Sequence, residues 1–212
     1  NLNGKIGIAG YNSNGHFFGL NVKRNIPNTM LQVLADFQSI KSLPDYKFLR
    51  YDGSNISWDN RFQYVSMNLV KLGLSMDSIG FEFTGVAKNI NNYVYYGSNT
   101  LPIQYDKAFM HYEVNLNQHI KVKSYHLKFG ITYQNVDSGT PVNIPEWTWK
   151  VSFYYQRYVF NKAMELRYGI DYWQNSSYAS NYYAPFTRSF VYQNDYNVGN
   201  YPYVDFYISA RI

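Results

Sequence analysis

The chain has 212 residues, of which 20% are aromatic, and it contains 24 tyrosines and no cysteine. Without cysteine it can form neither disulfides nor thiolate metal sites. Its net charge of +5 is not gathered on one basic face, which argues against nucleic-acid binding. No run of about 18 apolar residues occurs, so helical membrane spans are excluded.

Segments of alternating apolar and polar residues follow one another along the chain. The alternation has a period of two and predicts about eleven β-strands. In chain order these cover residues 5–11, 16–24, 30–39, 60–72, 79–88, 104–117, 124–134, 147–160, 164–173, a part of 187–194, and 203–212.

The last segment shows the pattern most clearly. Val204, Phe206 and Ile208 alternate there with Asp205 and Tyr207, so one face is apolar and the other is charged or hydroxylated. A strand of this kind lies between two different solvents. Aromatic residues crowd the segment ends, where rings favour the membrane–water interface. The predicted fold class is therefore all-β, an antiparallel transmembrane β-barrel.

The connections between the predicted strands support a membrane barrel. Short turns, such as 12–15 and 161–163, alternate with long polar stretches, such as 41–57, 137–145 and 175–185. Outer-membrane barrels have this asymmetry, with short periplasmic turns and long outer loops. Several predicted strands are long enough to cross a bilayer with tilt.

The predicted strand count suggests a part of a larger barrel. Eleven is odd, whereas single-chain bacterial barrels have even numbers of strands. The final alternating run also stops at Ile212 without a turn after it. We therefore expect residues 1–212 to form one outer-membrane β-barrel domain that is truncated at both ends.

Several motifs, in a shared order over most of residues 45–212, carry a family resemblance. They are the runs at 53–60, 88–96 followed by Gln104, His126-Leu127 with Tyr133-Gln134, 182–185, and above all the run Gly199-Asn200-Tyr201-Pro202-Tyr203-Val204-Asp205. In these motifs the chain resembles the C-terminal part of the putative porin family of Bacteroidota outer membranes. Members of that family continue past the position of Ile212 with another basic and aromatic strand.

The resemblance implies a location and a function. It implies the outer membrane of a Gram-negative bacterium and a non-enzymatic channel for passive diffusion of small hydrophilic solutes, with no cofactor. The implied partners are the lipid bilayer, the lipopolysaccharide-containing outer leaflet, small solutes and envelope proteins, but no nucleic acid. Two alternatives stay open: a non-conducting barrel that serves as a scaffold in an envelope complex, and a soluble β-sandwich that binds carbohydrate.

Charged residues on the polar strand faces are the candidate lumen-facing groups. They are Glu82, Lys88, Lys107, Glu113, Lys128, Glu165, Arg167, Asp171, Asp205 and Arg211. Rings of charge tune the selectivity of a pore. The same residues could simply pair across strands and hydrate the wall.

Aromatic clusters at the segment ends also have two interpretations. The candidate membrane-interface residues are Trp147, Trp149, Tyr172, Trp173, Tyr182, Tyr183, Tyr201 and Tyr203. A girdle at the membrane interface is the favoured interpretation. The other is a platform on which sugars stack.

Catalytic and metal sites have weak support in the sequence. Ser124 and His126 would share a strand face, with Glu113 across from them, but no recognised nucleophile motif surrounds them. The four histidines lack the close ligand spacing of a metal site. A hydrogen-bonded polar ladder is the simpler interpretation.

Overall fold

A computed structural model describes residues 1–54 and 56–212 of the chain. Asn55, which belongs to the polar stretch and to one of the family motifs, lies outside the described residues. Within the described part, none of the helices has the length and apolar character needed to span a bilayer.

A sheet of ten long antiparallel strands dominates the described residues. The strands are β1 Leu2–Ile6, β2 His16–Asn25, β3 Gln32–Ser42, β4 Val65–Met76, β5 Phe81–Asn91, β6 Phe109–Val122, β7 Tyr125–Val136, β8 Trp147–Val159, β9 Met164–Asn175 and β10 Tyr203–Arg211. Each strand pairs with its neighbour in the sequence, so the sheet is a simple meander. The sheet is not closed, since β1 and β10 form its two edges, which fits a partial barrel wall.

The strand register collects most of the apolar residues of the ten described strands on one face. One continuous row joins Val33 of β3, Leu74 of β4, Phe83 of β5, Leu116 of β6 and Ile131 of β7. The band is exposed: Phe206 and Ile208 of β10 are 78% and 80% accessible. A soluble fold would bury such residues in a closed core, so the exposed band argues against the alternative of a soluble β-sandwich.

The connections differ sharply between the two ends of the sheet. Those at one end span residues 7–15, 43–64, 92–108, 137–146 and 176–202. Those at the other end span only 26–31, 77–80, 123–124 and 160–163. A 3₁₀-helix, Asp77–Ile79, forms one short turn, and Gly80 ends it with a φ of 64° that glycine adopts without strain. The two ends are called the loop end and the turn end below.

Short elements within the long connections form a cap at the loop end. One helix, α1, covers Tyr46–Leu49, and Arg50–Asp52 pairs with Ser57–Asp59. A four-stranded sheet contains Tyr182–Ala184, Ser189–Val191, Val94–Tyr96 and Pro102–Gln104, and Tyr178–Ala179 pairs with Asn197–Val198. The four-stranded sheet joins the β5–β6 connection to the β9–β10 connection through a parallel bridge between Val191 and Tyr96.

The cap has its own hydrophobic core. Val191, Ala184 and Tyr96 are buried together, and Phe48 and Trp58 of the β3–β4 connection pack on them. The ring of Tyr96 lies 4.9 Å from that of Phe48 and 6.0 Å from that of Trp58. Burial raises the pKa of the Tyr96 hydroxyl above its ordinary value, although a hydrogen bond with Ser189 opposes this. Three long connections therefore form one packed unit.

The cap core predicts the effect of one substitution. Val191 is fully buried, so Val191→Asp would place an unpaired charge in the core of the cap. We expect the cap to open while the β-sheet stays intact, because Val191 lies outside the ten long strands. Limited proteolysis should then cleave residues 176–202 much faster than in the wild type. The exposed neighbour Phe190 provides the control, since Phe190→Asp should leave the cleavage rate nearly unchanged.

The structure corrects several predicted strands. Residues 7–11 belong to a connection, where Gly10 and Asn14 adopt positive φ angles, and β1 begins earlier, at Leu2. The predicted strand 60–72 starts and ends too early, because β4 covers Val65–Met76. The predicted tenth strand was wrong as a wall strand, because Ser189–Val191 belongs to the cap. Among the described residues, the large sheet therefore has ten strands and not the predicted eleven.

The open edges of the sheet lead to a prediction about the intact protein. In a bilayer, each unpaired backbone group at β1 and β10 would cost several kcal/mol, since lipid offers no hydrogen bonds. We therefore expect additional strands to pair with both edges. The mass of the protein extracted from membranes should then exceed the 24.9 kDa of this chain. An extracted mass of 24.9 kDa from a monomeric protein would contradict this prediction.

Candidate pore-lining face

The strand register brings all but one of the candidate lumen-facing residues to the face opposite the apolar band, here called the polar face. These residues are Glu82, Lys88, Glu113, Lys128, Glu165, Arg167, Asp171, Asp205 and Arg211. Lys107 is the exception. The predicted strand 104–117 starts too early, because β6 begins at Phe109 and Lys107 lies exposed in the β5–β6 connection.

A basic cluster surrounds Tyr154 near the turn end of the polar face. The His126 ring stacks on the Tyr154 ring with centroids 4.6 Å apart, and His126 Nδ1 lies 3.0 Å from His119 Nε2. Lys128 Nζ and the Arg167 guanidinium lie 5.5 and 5.7 Å from the centre of the Tyr154 ring. The ring attracts both cations through its negative face. These five residues are called the basic cluster.

Local packing explains why Tyr154 is buried on a water-facing surface. Its cross-strand partner is Gly169, where an added Cβ would lie 2.5 Å from the Tyr154 Cβ. The absence of a side chain at Gly169 lets the tyrosine lie across the neighbouring strand. The basic cluster therefore rests on a buried ring.

Two ion pairs compensate part of the charge on the polar face. Arg167 Nη2 lies 2.8 Å from Glu165 Oε1, and Lys88 Nζ lies 3.9 Å from Glu113 Oε2. Lys128 makes no ion pair with any of the described residues. Its positive charge is thus the least compensated in the basic cluster.

Two carboxylates lie directly opposite each other on the last two strands. Asp171 of β9 pairs in register with Asp205 of β10, an arrangement that is destabilising for like charges. Asp171 Oδ1 is buried, and no hydrogen-bond partner for it lies within residues 1–54 and 56–212. Asp171 also lines an open groove of about 870 Å³ on the polar face, with Lys23, Glu82, Lys128 and Lys150.

The candidate interface aromatics divide among three places. Trp147, Trp149 and Tyr172 lie on the apolar face. Trp173 and Tyr203 lie on the polar face, so grouping them with Tyr172 was wrong, because consecutive strand residues point to opposite faces. Tyr182 and Tyr183 belong to the cap, and Tyr201 precedes β10.

The structure shows two aromatic groups on the apolar face that the sequence-based list left incomplete. Tyr133 lies 4.6 Å from Trp147 near the loop end, while Tyr125, Tyr155 and Tyr168 lie in one row near the turn end. Tyr125 and Tyr133 are about 27 Å apart along β7, or about 20 Å across a bilayer at a usual tilt. That spacing is close to the height of a barrel's apolar band, about 25 Å. The sequence did contain a signal for Tyr125 and Tyr133, because both alternate in step with the apolar residue Leu127 of the same strand.

The residues considered for catalysis do not come together. Glu113 pairs in register with Gln134, which is about 27 Å along β7 from His126. Ser124 lies in the β6–β7 turn, and the ring nitrogen of His126 contacts His119 instead. Among the described residues, no group of three or more His, Asp or Glu side chains could hold a metal ion.

An exposed apolar band bounded by aromatic residues, opposite a charged face, defines the wall of an antiparallel membrane β-barrel. The model of a protein family described as "Putative porin" matches residues 1–212. The chain therefore belongs to the putative porin family. No curated protein matches the chain. Membership of this family indicates an outer-membrane channel.

Proposed function

We propose that the protein is a channel through which small hydrophilic solutes diffuse across the outer membrane of a Gram-negative bacterium. One observation carries this proposal: the polar face continues across strands β6 to β10, directly behind an apolar band that fits lipid. The polar face lines the water-filled lumen, and the apolar face contacts the bilayer. The cap at the loop end lies on the outer side, beside the lipopolysaccharide leaflet. The restriction to Bacteroidota stays a prediction from the sequence.

Conductance measurements test this function directly. The protein, extracted in detergent and inserted into planar bilayers, should give stepwise increases in current in potassium chloride. The steps should persist when the bathing solution contains no other solute, because the lumen itself carries the ions. A folded protein that inserts into the bilayer and carries no current at any voltage would contradict the proposal.

A non-conducting scaffold is the second candidate, and the cap favours it. Connections 43–64, 92–108 and 176–202 share one core at the loop end, where they could hold a partner protein of the envelope. Val191→Asp separates the two candidates, because it should open the cap. A channel narrowed by its cap should then conduct more, whereas a scaffold should remain non-conducting and lose its partner.

A further inference from the structure

Two aromatic rings lie on the polar side of the sheet, which is the wrong side for a lipid girdle, and a third ring contacts them. Trp173 and Tyr203 lie opposite each other on the polar face, with ring centroids 4.2 Å apart and planes 7° from parallel. Tyr201 meets Tyr203 edge to face at 5.4 Å. The three residues are 38%, 46% and 65% exposed. They are called the aromatic platform below.

The platform requires an explanation because the proposed function does not use it. A lumen that only passes ions and small solutes gains nothing from large apolar rings in water, since their exposure has a hydrophobic cost. Tyr172, the neighbour of Trp173, lies on the apolar face, where an aromatic ring suits the membrane interface. The rings of the platform thus serve a water-side contact.

The groups around the platform are polar and balanced in charge. Lys150 lies directly opposite Trp173, and Asp171 and Asp205 lie one step further along the same face. Lys128 follows across Ser152, so two lysines balance the two carboxylates. Asp171 lines the open groove on the polar face, where its carboxylate can only accept hydrogen bonds.

We propose that the aromatic platform, with Asp171, Asp205 and Lys150, binds neutral sugar rings as they pass through the lumen. This proposal rests on the proposed channel function and names its class of solute. A pyranose presents a face of C–H groups that packs on an aromatic ring and a rim of hydroxyls that both donate and accept hydrogen bonds. Trp173 and Tyr203 stack on each other, so a sugar packs on the exposed outer surface of the pair, while the carboxylates accept and the lysine donates hydrogen bonds.

The extent of the site favours an oligosaccharide over a single sugar. Tyr207 lies on the same face of β10, about 13 Å beyond Tyr203, with the acid pair between them. A second ring face at that distance lets neighbouring sugar units of one chain be bound in sequence along the lumen. A charged solute suits this site less well, because the surrounding charges sum to zero.

Sugar-induced block of the ion current tests the proposal. The protein in planar bilayers is titrated with maltohexaose and, separately, with a polyethylene glycol of similar mass that has no ring face to stack. We expect saturable block by maltohexaose alone. Trp173→Ala should raise the half-blocking concentration about tenfold. Tyr172→Ala is the matched control, since it removes the adjacent ring from the opposite face and should leave that concentration unchanged.

Every outcome separates this inference from the proposed function. Current without maltohexaose-specific block, equal block by the polyethylene glycol, or equal effects of Trp173→Ala and Tyr172→Ala would overturn the sugar site while the channel function stands. Stronger block by the polyamine spermine than by maltohexaose would show that the acid pair recognises organic cations, and it would also overturn the inference. Absence of current under all conditions would instead contradict the channel function.

Discussion

Phe129→Arg should destabilise the folded protein in a bilayer by about 2–4 kcal/mol. Phe129 lies on the apolar face of β7, four positions from Tyr125 and four from Tyr133, and so midway between the two aromatic groups. An arginine there would place its charge near the middle of the bilayer, where it is farthest from water on either side. The free energy of unfolding, measured by denaturant titration in lipid vesicles, gives the size of the effect.

The control places the same charge on the opposite face at a similar depth. Ser152 follows Val151, the cross-strand partner of Phe129, and pairs on the polar face with Lys128 and Asp171. Ser152→Arg should change the free energy of unfolding by less than about 1 kcal/mol, because its side chain meets water and a carboxylate. A stable Phe129→Arg variant together with an unstable Ser152→Arg variant would show that the two faces are inverted.

The apolar and polar faces of each strand could be predicted from the sequence, because the alternation within a strand depends only on the two environments that this strand contacts. Alternation along β7 separates Leu127, Phe129 and Ile131 from Lys128 and Thr132 without any knowledge of the neighbouring strands. The structure adds the register, which joins these local patterns into one band. Family membership rests on the sequence as well, because the family model matches residues 1–212.

Strand ends and the cap could not be predicted in the same way. Lys107 has the parity of the polar face, but it lies between a loop strand at Pro102–Gln104 and β6, and alternation does not show that the two strands are separate. Likewise, Ser189–Val191 alternates like a wall strand. Its pairing with Tyr96, a residue distant in the sequence, places it in the cap. Contacts between distant connections leave no periodic signal in either segment.

The basic cluster shows that strand register determines which charged residues become neighbours. Lys128 and Arg167 were both predicted to face the lumen, but nothing in the sequence indicated that Tyr154 lies between them. That placement results from two registers, β7 with β8 and β8 with β9, and from the space left by Gly169. The same geometry distinguishes the two cations, because Arg167 has a carboxylate partner and Lys128 does not.

Removing both cations should change the ion preference of the channel. The double variant Lys128→Gln with Arg167→Gln should shift the reversal potential in a potassium chloride gradient toward that of a cation-selective pore. The physical reason is that fixed positive charge in the lumen repels cations. Lys128→Gln alone should give the larger single shift, because Glu165 already compensates Arg167 at 2.8 Å. Lys162→Gln, in the β8–β9 turn, is a control for loss of charge outside the strands.

Ionic strength provides the decisive check that these shifts are electrostatic. The Debye length is about 10 Å in 0.1 M salt and about 3 Å in 1 M salt, so mobile ions screen the lysine from the middle of the lumen at the higher concentration. The difference between the double variant and the wild type should therefore be large in dilute salt and nearly vanish in concentrated salt. A shift that persisted at 1 M would indicate a change in lumen shape instead. A folded, conducting double variant with an unchanged reversal potential in dilute salt would show that Lys128 and Arg167 do not line the conducting path.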